Sequence, residues 1–165
     1  MKSNPAPSVT LLFLDVDGVM TDGCITLDED GREMKAFNVK DGLGLKLLMS
    51  AGIEVVIVTG RTSGAVSRRA EELGIREVYQ GVGEKGRFCR QFREKRGLSV
   101  ESIACLGDDL PDLEMFRESG VPMAVADAVE EVRQAAVYVT RCKGGAGAVR
   151  EACEYLLKAR GKWPL

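Results

Sequence analysis

The chain has 165 residues and not one histidine. A zinc site built on imidazoles and a Cys–His dyad are both excluded. Five cysteines are present, Cys24, Cys89, Cys105, Cys142 and Cys153, and none falls in a Cys-x-x-Cys pair. They are expected as reduced, partly buried small hydrophobes of a cytosolic protein. An excess of one charge is also missing. There are 23 Lys plus Arg against 25 Asp plus Glu, a net charge of -2, which gives no basic field for nucleic acid. No apolar run approaches the ~18 residues of a membrane span. Met1 to Ser8 is short, polar and proline-containing, unlike a signal peptide. The expectation is a cytoplasmic protein with neither nucleic acid nor membrane as partner. Internal repeats and low-complexity tracts are absent too. The length fits one domain over residues 1–165, burying roughly two-thirds of its unfolded surface without a disulfide or metal staple.

What the chain does have is alternation. Apolar runs at Thr10–Leu14, Glu54–Thr59, Glu77–Gln80, Ser102–Leu106, Met123–Val125 and Ala136–Val139 predict strands. Amphipathic stretches between them predict helices over Gly42–Ala51, Gly64–Leu73, Lys85–Arg96, Pro111–Glu118, Glu130–Ala135 and Ala146–Ala159. Strand alternating with helix predicts an α/β fold with a doubly wound parallel sheet. One segment, Cys24–Asn38, breaks the pattern. There Asp28-Glu29-Asp30-Gly31 separates two short alternating runs, the signature of a β-hairpin. A hairpin leaving the sheet at this point is suited to cover a site or to pair with another subunit. No second domain or large cap is apparent.

Four short motifs carry the chemistry. In the first, the apolar run Leu11–Leu14 ends in Asp15-Val16-Asp17-Gly18. Side chains two residues apart on an extended segment face the same way, and open α/β sheets bind ligands at that edge. Two carboxylates there repel each other unless a hard cation such as Mg2+ joins them, which points to metal-assisted phosphoryl chemistry with an aspartate nucleophile. The plainer alternative is a turn, with Asp as N-cap and Gly supplying a positive φ. In the second, Thr59-Gly60-Arg61 follows Val55–Val58, offering a hydroxyl, a glycine amide and a guanidinium to phosphate oxygens, or simply an N-capped turn. The third is Lys85, near a helix start, a candidate counter-charge or a solvated surface lysine. The fourth is Gly107-Asp108-Asp109-Leu110-Pro111-Asp112, whose three carboxylates exceed what capping one helix requires. One is a candidate metal ligand, with the others orienting it.

In this order these motifs resemble the haloacid dehalogenase superfamily of phosphohydrolases, which has a Rossmann-like fold. The likeness covers nearly the whole chain. The runs DVDGVMTDG, KAFNVKDGLGLKLL, VTGRTSGAV, LGIREVYQG, LGDDLPDLEMF and YVTRCKGGAGAVREAC are similar to the capless 3-deoxy-D-manno-octulosonate 8-phosphate (KDO 8-P) phosphatase family. Sialate- and KDN-type 9-phosphate phosphatases are similar too.

The resemblance implies a Mg2+-dependent hydrolase of a sugar-acid phosphate, working through an aspartyl-phosphate, with a place in lipopolysaccharide biosynthesis. It maps Asp15 as nucleophile, Asp17 as general acid/base, Thr59 as phosphate-binding hydroxyl and Lys85 as the charge-stabilising lysine. Mg2+ would be held by Asp15, Asp108 and the backbone carbonyl of Asp17, with Asp109 and Asp112 as orienting carboxylates. Substrate positions map to Asn38, Asp41, Gly42, Lys46, Gly60, Arg61 and Arg69. The implied assembly is a homo-oligomer, a tetramer in which neighbouring subunits act as caps.

One position departs from the pattern: Ala146 stands where octulosonate phosphatases commonly carry arginine, which leaves the sugar less defined than the reaction. Trp163, the only tryptophan, lies in a short tail and is read either as reaching a neighbouring site or as a packing residue. Two rival classes are a receiver-type signalling module and a catalytically silent oligomeric scaffold. The Asp15-x-Asp17 spacing on the first strand argues against the former, and the presence of Asp15, Asp17 and Lys85 against the latter.

Overall fold

The computed structural model describes residues 6–163; Met1 to Pro5 of the leading stretch read above lie outside them. Strand β1 (Leu11–Leu14) is buried at every position, as a central strand covered on both faces must be. It pairs in parallel with β4 (Glu54–Val58) on one side and with β6 (Ile103–Gly107) on the other. Beyond these lie β5 (Glu77–Tyr79), β7 (Val121–Ala124) and β8 (Tyr138–Val139), giving a six-stranded parallel sheet in the order β5-β4-β1-β6-β7-β8. The expected doubly wound α/β sheet is what the chain forms. Chain order reverses between β1 and β6, so the switch-point crevice opens at their C-terminal ends.

The helices fall into two groups. The first contains α1 (Val39–Ser50), which packs on α2 (Gly64–Leu73) and α6 (Ala148–Ala159). In the second, α3 (Lys85–Lys95) packs on α4 (Leu110–Phe116), and α4 on α5 (Glu130–Ala135). Two groups cover the two faces of the sheet and bury Leu11, Leu12, Phe13, Ile57 and Leu106, each worth about 1.5–3 kcal/mol. Among the described residues no helix is long and apolar enough to cross a membrane.

Two helix starts differ from the sequence expectation. Helix α1 begins three residues early, because Asn38 is its N-cap and accepts the Lys40 amide at 2.8 Å; Gly42 and Gly44 lie inside the helix. Helix α6 begins two residues late, because Gly145 and Gly147 take φ of 68° and 108°, which a helix cannot continue. The insert is a hairpin, of strands β2 (Thr26–Leu27) and β3 (Glu33–Met34), shorter than the runs that flag it. Its turn is held by Asp28, whose carboxylate accepts the amides of Asp30 at 3.0 Å and Arg32 at 2.8 Å, an Asx turn.

Candidate active site

Asp15 leaves the end of β1 with its amide bonded to Leu106 O at 3.2 Å, and Asp108 follows β6 directly alongside. The register pairs Leu14 with both Ile57 and Leu106, so the ends of β4 and β6 flank Asp15. A cavity of about 490 Å³ opens there and takes in Asp15, Asp17, Thr59, Lys85 and Asp108. Gly60 and Arg61 line it from the β4 side, and Asp109 and Asp112 from the β6 side.

Lys85 is the hinge of the arrangement. Phe88 and Phe92, one and two turns further along α3, pack against Tyr79, and Phe92 also meets Phe13 edge-on at 5.5 Å. This fixes the helix start, and buried Lys85 Nζ lies 2.8 Å from Asp15 Oδ1 and 2.6 Å from Asp112 Oδ1. Burial pulls the ammonium down, but the charges and hydrogen bonds of Asp15 and Asp112 outweigh it and its pKa ends above the ordinary lysine value. Both oxygens of the Asp112 carboxylate are engaged: the other accepts the amides of Asp108 at 2.9 Å and Asp109 at 3.3 Å. Asp109 is the N-cap of α4 and accepts the Leu110 amide at 2.8 Å. The acidic run therefore divides its labour, Asp109 and Asp112 shaping the loop while Asp108 faces Asp15.

The donor set fits a hard cation. One oxygen each of Asp15, Asp108 and Asp112 lie within 4.8 Å of one another, and Asp108 Oδ1 is buried with no hydrogen-bond partner. Burial, then repulsion from Asp112, raises the Asp15 pKa to about 6 against the opposing Lys85 charge. Burial and the charge of Asp15 raise Asp108 to about 8. Carboxylates pushed up together in an all-oxygen pocket are what a divalent cation relieves. The Asp17 carboxylate is not in this cluster. It turns to Lys35 and to Arg61, whose Nε is 3.8 Å away.

Glycines let the loops approach this closely. A Cβ on Gly18, at φ +83°, would sit 2.0 Å from Asp108 Oδ2, and one on Gly144 would sit 1.8 Å from Gly18 O. Thr21, buried, accepts the amides of Gly18 at 3.3 Å and Gly23 at 3.2 Å and so sets the curve of the β1 loop. Thr59, also buried, accepts the Arg61 amide at 3.4 Å.

Residues 74–151 match the haloacid dehalogenase-like hydrolase family. The chain is 45% identical over 157 residues to the 3-deoxy-D-manno-octulosonate 8-phosphate phosphatase KdsC of Escherichia coli K12, covering 95% of this chain and 84% of that one. The chain belongs to the KDO 8-P phosphatase family. Its structural relatives agree. The KDO 8-P phosphatase of Moraxella catarrhalis, crystallised with a magnesium ion, a phosphate ion and KDO, superimposes with a TM-score of 0.93 at 43% identity. That match covers 96% of this chain and 91% of the other. The cobalt-bound phosphatase of Haemophilus influenzae gives a TM-score of 0.91 at 40% identity, covering 96% and 92%.

Within this KDO 8-P phosphatase fold, five of the seven expected substrate positions lie away from the carboxylates. Asp41 is buried and caps α6 from α1, accepting the Arg150 amide at 2.8 Å. Asn38 caps α1 and donates to Gly145 O at 3.4 Å. Gly42, Lys46 and Arg69 line a separate hollow of about 180 Å³. There Gly42 leaves room for Arg69, since a Cβ would meet its Nη2 at 2.3 Å. Arg69 itself pairs with Glu72 at 2.7 Å and lies 6.0 Å from the centre of the Phe37 ring. The substrate positions therefore divide into two clusters, Gly60 and Arg61 at the carboxylates and the rest around α1. Trp163 packs under Arg150, 4.9 Å from its guanidinium. Sequence reasoning missed Lys35, Glu33 and Thr21. Glu33 and Lys35 were findable, since residues two apart on a strand share a face.

Proposed function

We propose that the protein is a Mg2+-dependent phosphatase that hydrolyses 3-deoxy-D-manno-octulosonate 8-phosphate. The observation that carries the reading is buried Lys85 bridging Asp15 and Asp112 beside an unpartnered Asp108 oxygen, at the switch point of the sheet. The relatives named for this reaction support the substrate, and a magnesium ion accompanies phosphate and KDO in one of them.

In this reading Asp15 attacks phosphorus through a carboxylate oxygen, and the bond to the sugar oxygen breaks. Asp17 delivers a proton to that oxygen and the free sugar acid departs, leaving an aspartyl-phosphate. Asp17 then removes a proton from water, water attacks the acyl phosphate, and phosphate and the Asp15 carboxylate are released. Lys85, the Thr59 hydroxyl and the Gly60 amide face the phosphoryl oxygens. Mg2+, held by Asp15, Asp108 and the Asp17 carbonyl, supplies charge neutralisation on those oxygens when bound. Arg61 supplies a fork for an anionic group of the substrate.

The reading extends to location and assembly. Buried Cys89, Cys105 and Cys153, standing as free thiols, suit a reducing cytoplasm. The exposed apolar side chains of Ile25, Leu27 and Met34 on the hairpin suit burial against other subunits in a tetramer.

Release of phosphate from a sugar-phosphate panel, with and without Mg2+, tests the function. KDO 8-P is expected to lead the panel. Ala146, exposed in the loop that carries Gly144 and Gly145, favours including sialate- and KDN-type 9-phosphates, and a higher kcat/KM on those would transfer the assignment to them. Phosphate release that survives complete removal of divalent cations would overturn the metal requirement.

A further inference from the structure

The hairpin brings to the site one residue that the chemistry above does not use. Lys35 follows β3, and its side chain is 1% exposed on a ribbon whose Ile25, Leu27 and Met34 are 58%, 57% and 54% exposed. An ammonium is buried only where opposite charge and hydrogen bonds replace its water. Here it donates to Asp17 Oδ1 and lies 3.2 Å from Glu33 Oε1. The same Glu33 oxygen accepts from Arg61 Nη2 at 2.7 Å, and Arg61 Nε stands 3.8 Å from Asp17 Oδ2. Four side chains close a ring of alternating charge that ties the hairpin to the β1 and β4 loops.

The ring has two sides. Asp17 and Arg61 line the cavity, whereas Lys35 and Glu33 do not. Lys35 thus holds Oδ1 from outside the cavity, and Oδ2 is left with only the longer Arg61 contact. A carboxylate turns easily about its last torsion. Without Lys35, both Asp17 oxygens are free to close on the Arg61 fork, a geometry that guanidinium and carboxylate favour. That would turn the acid away from the reaction and occupy the arginine.

We infer that Lys35 is the positioning residue of the acid–base step: by fixing Asp17 Oδ1 it keeps Oδ2 directed at the leaving oxygen of the substrate. The inference rests on the proposed role of Asp17. Lys35 stands outside the cavity lining, and Glu33 holds it in turn while keeping Arg61 from collapsing onto Asp17.

Leaving groups separate this role from a merely structural one. A sugar alkoxide needs a proton as it departs, while p-nitrophenolate leaves without one. In single-turnover experiments Lys35→Met is expected to slow departure of the sugar from KDO 8-P by about 100-fold and the burst of p-nitrophenolate from p-nitrophenyl phosphate by no more than about threefold. Only the first departure takes a proton from Asp17, whereas hydrolysis of the shared aspartyl-phosphate, where Asp17 is the base, slows alike for both. Lys35→Arg should recover part of the loss. In an Asp17→Asn background Lys35→Met should have no further effect, because the two residues act as one unit. An equal loss in the two single-turnover departure rates, or additivity with Asp17→Asn, would make Lys35 a structural anchor and overturn the inference; so would unchanged turnover of KDO 8-P in Lys35→Met. If the wild-type protein hydrolyses neither phosphate, the proposed function fails first and this inference with it.

Discussion

Gly18 stands where the two strand-end carboxylates meet, and no side chain fits between them. Its φ of +83° is one that alanine adopts only with strain, and a Cβ would lie 2.0 Å from Asp108 Oδ2. Gly18→Ala is therefore expected to displace Asp108 and cut kcat by at least about 100-fold, because misplacing a catalytic group by about 1 Å has that effect. A turnover within tenfold of wild type would show that the loop gives way instead. Asp15 poses a different question, since the carboxylate acts through its chemistry rather than its shape. Asp15→Asn keeps the shape and one acceptor oxygen for Lys85 but removes the nucleophile, so phosphatase activity should fall at least about 1,000-fold. The variant should remain folded, as it relieves a charge that burial and Asp112 both oppose. More than a few per cent of wild-type turnover, with deamidation controlled, would remove Asp15 from its role.

At the scale of elements, what could be read from sequence was whatever depends on near neighbours in the chain. The four buried residues of β1, the Asp15 that ends it, the Thr59 that ends β4 and the Lys85 that opens α3 all follow from local patterning. Asp41 does not. It lies in the first turn of α1, where an acid ordinarily complements the helix dipole, but its carboxylate accepts from Arg150, 109 residues away, at the start of α6. Nothing in local spacing signals a cap supplied by a different helix. The shared face of Glu33 and Lys35 was readable from their spacing, but the ring they close with Asp17 and Arg61 was not, because it forms only once the hairpin folds back over the β1 and β4 loops. The role of Asp41 as a cap yields a measurement. Gly147, the N-cap of α6, has no side chain to cap with, so Asp41→Ala leaves the Arg150 amide without its acceptor. The expected destabilisation is about 2 kcal/mol, a fall in Tm of roughly 4–8 °C. An unchanged Tm would mean that the α1–α6 contact stands without it.

The whole molecule carries two consequences of leaving polar and apolar groups incompletely matched. The hairpin and the start of α1 expose Ile25, Leu27, Met34, Val39 and Leu43, apolar side chains that a two-stranded ribbon cannot bury alone. Sedimentation equilibrium at micromolar concentration should show a tetramer, and Leu27→Asp with Met34→Glu should dissociate it; a fully active monomer of 17.9 kDa would refute intersubunit capping. The second consequence concerns charge. Without a cation, Asp15 and Asp108 ionise near pH 6 and pH 8 in the fold, raised chiefly by burial, but near 3.8 in the unfolded chain. Over that window the folded state binds more protons, so stability falls as pH rises from about 4 to about 8. Lys85, raised above 10.5, stays charged throughout and adds no slope. Glu33, Glu151 and Glu154, all lowered from 4.5, contribute the opposite slope only at the acid end of the window, around and below their unfolded value. A divalent cation prefers the ionised carboxylates, so its binding must strengthen across the same window in which the metal-free fold weakens. At a Mg2+ concentration about 100 times its Kd the stabilisation is about 2.7 kcal/mol, or roughly 5–10 °C in Tm. Thermal melts should show that shift at pH 8 and a much smaller one at pH 5, while the metal-free Tm declines between them. A Mg2+ shift equal at both pH values, or a metal-free Tm that climbs with pH, would mean that Asp15 and Asp108 do not form the cation site.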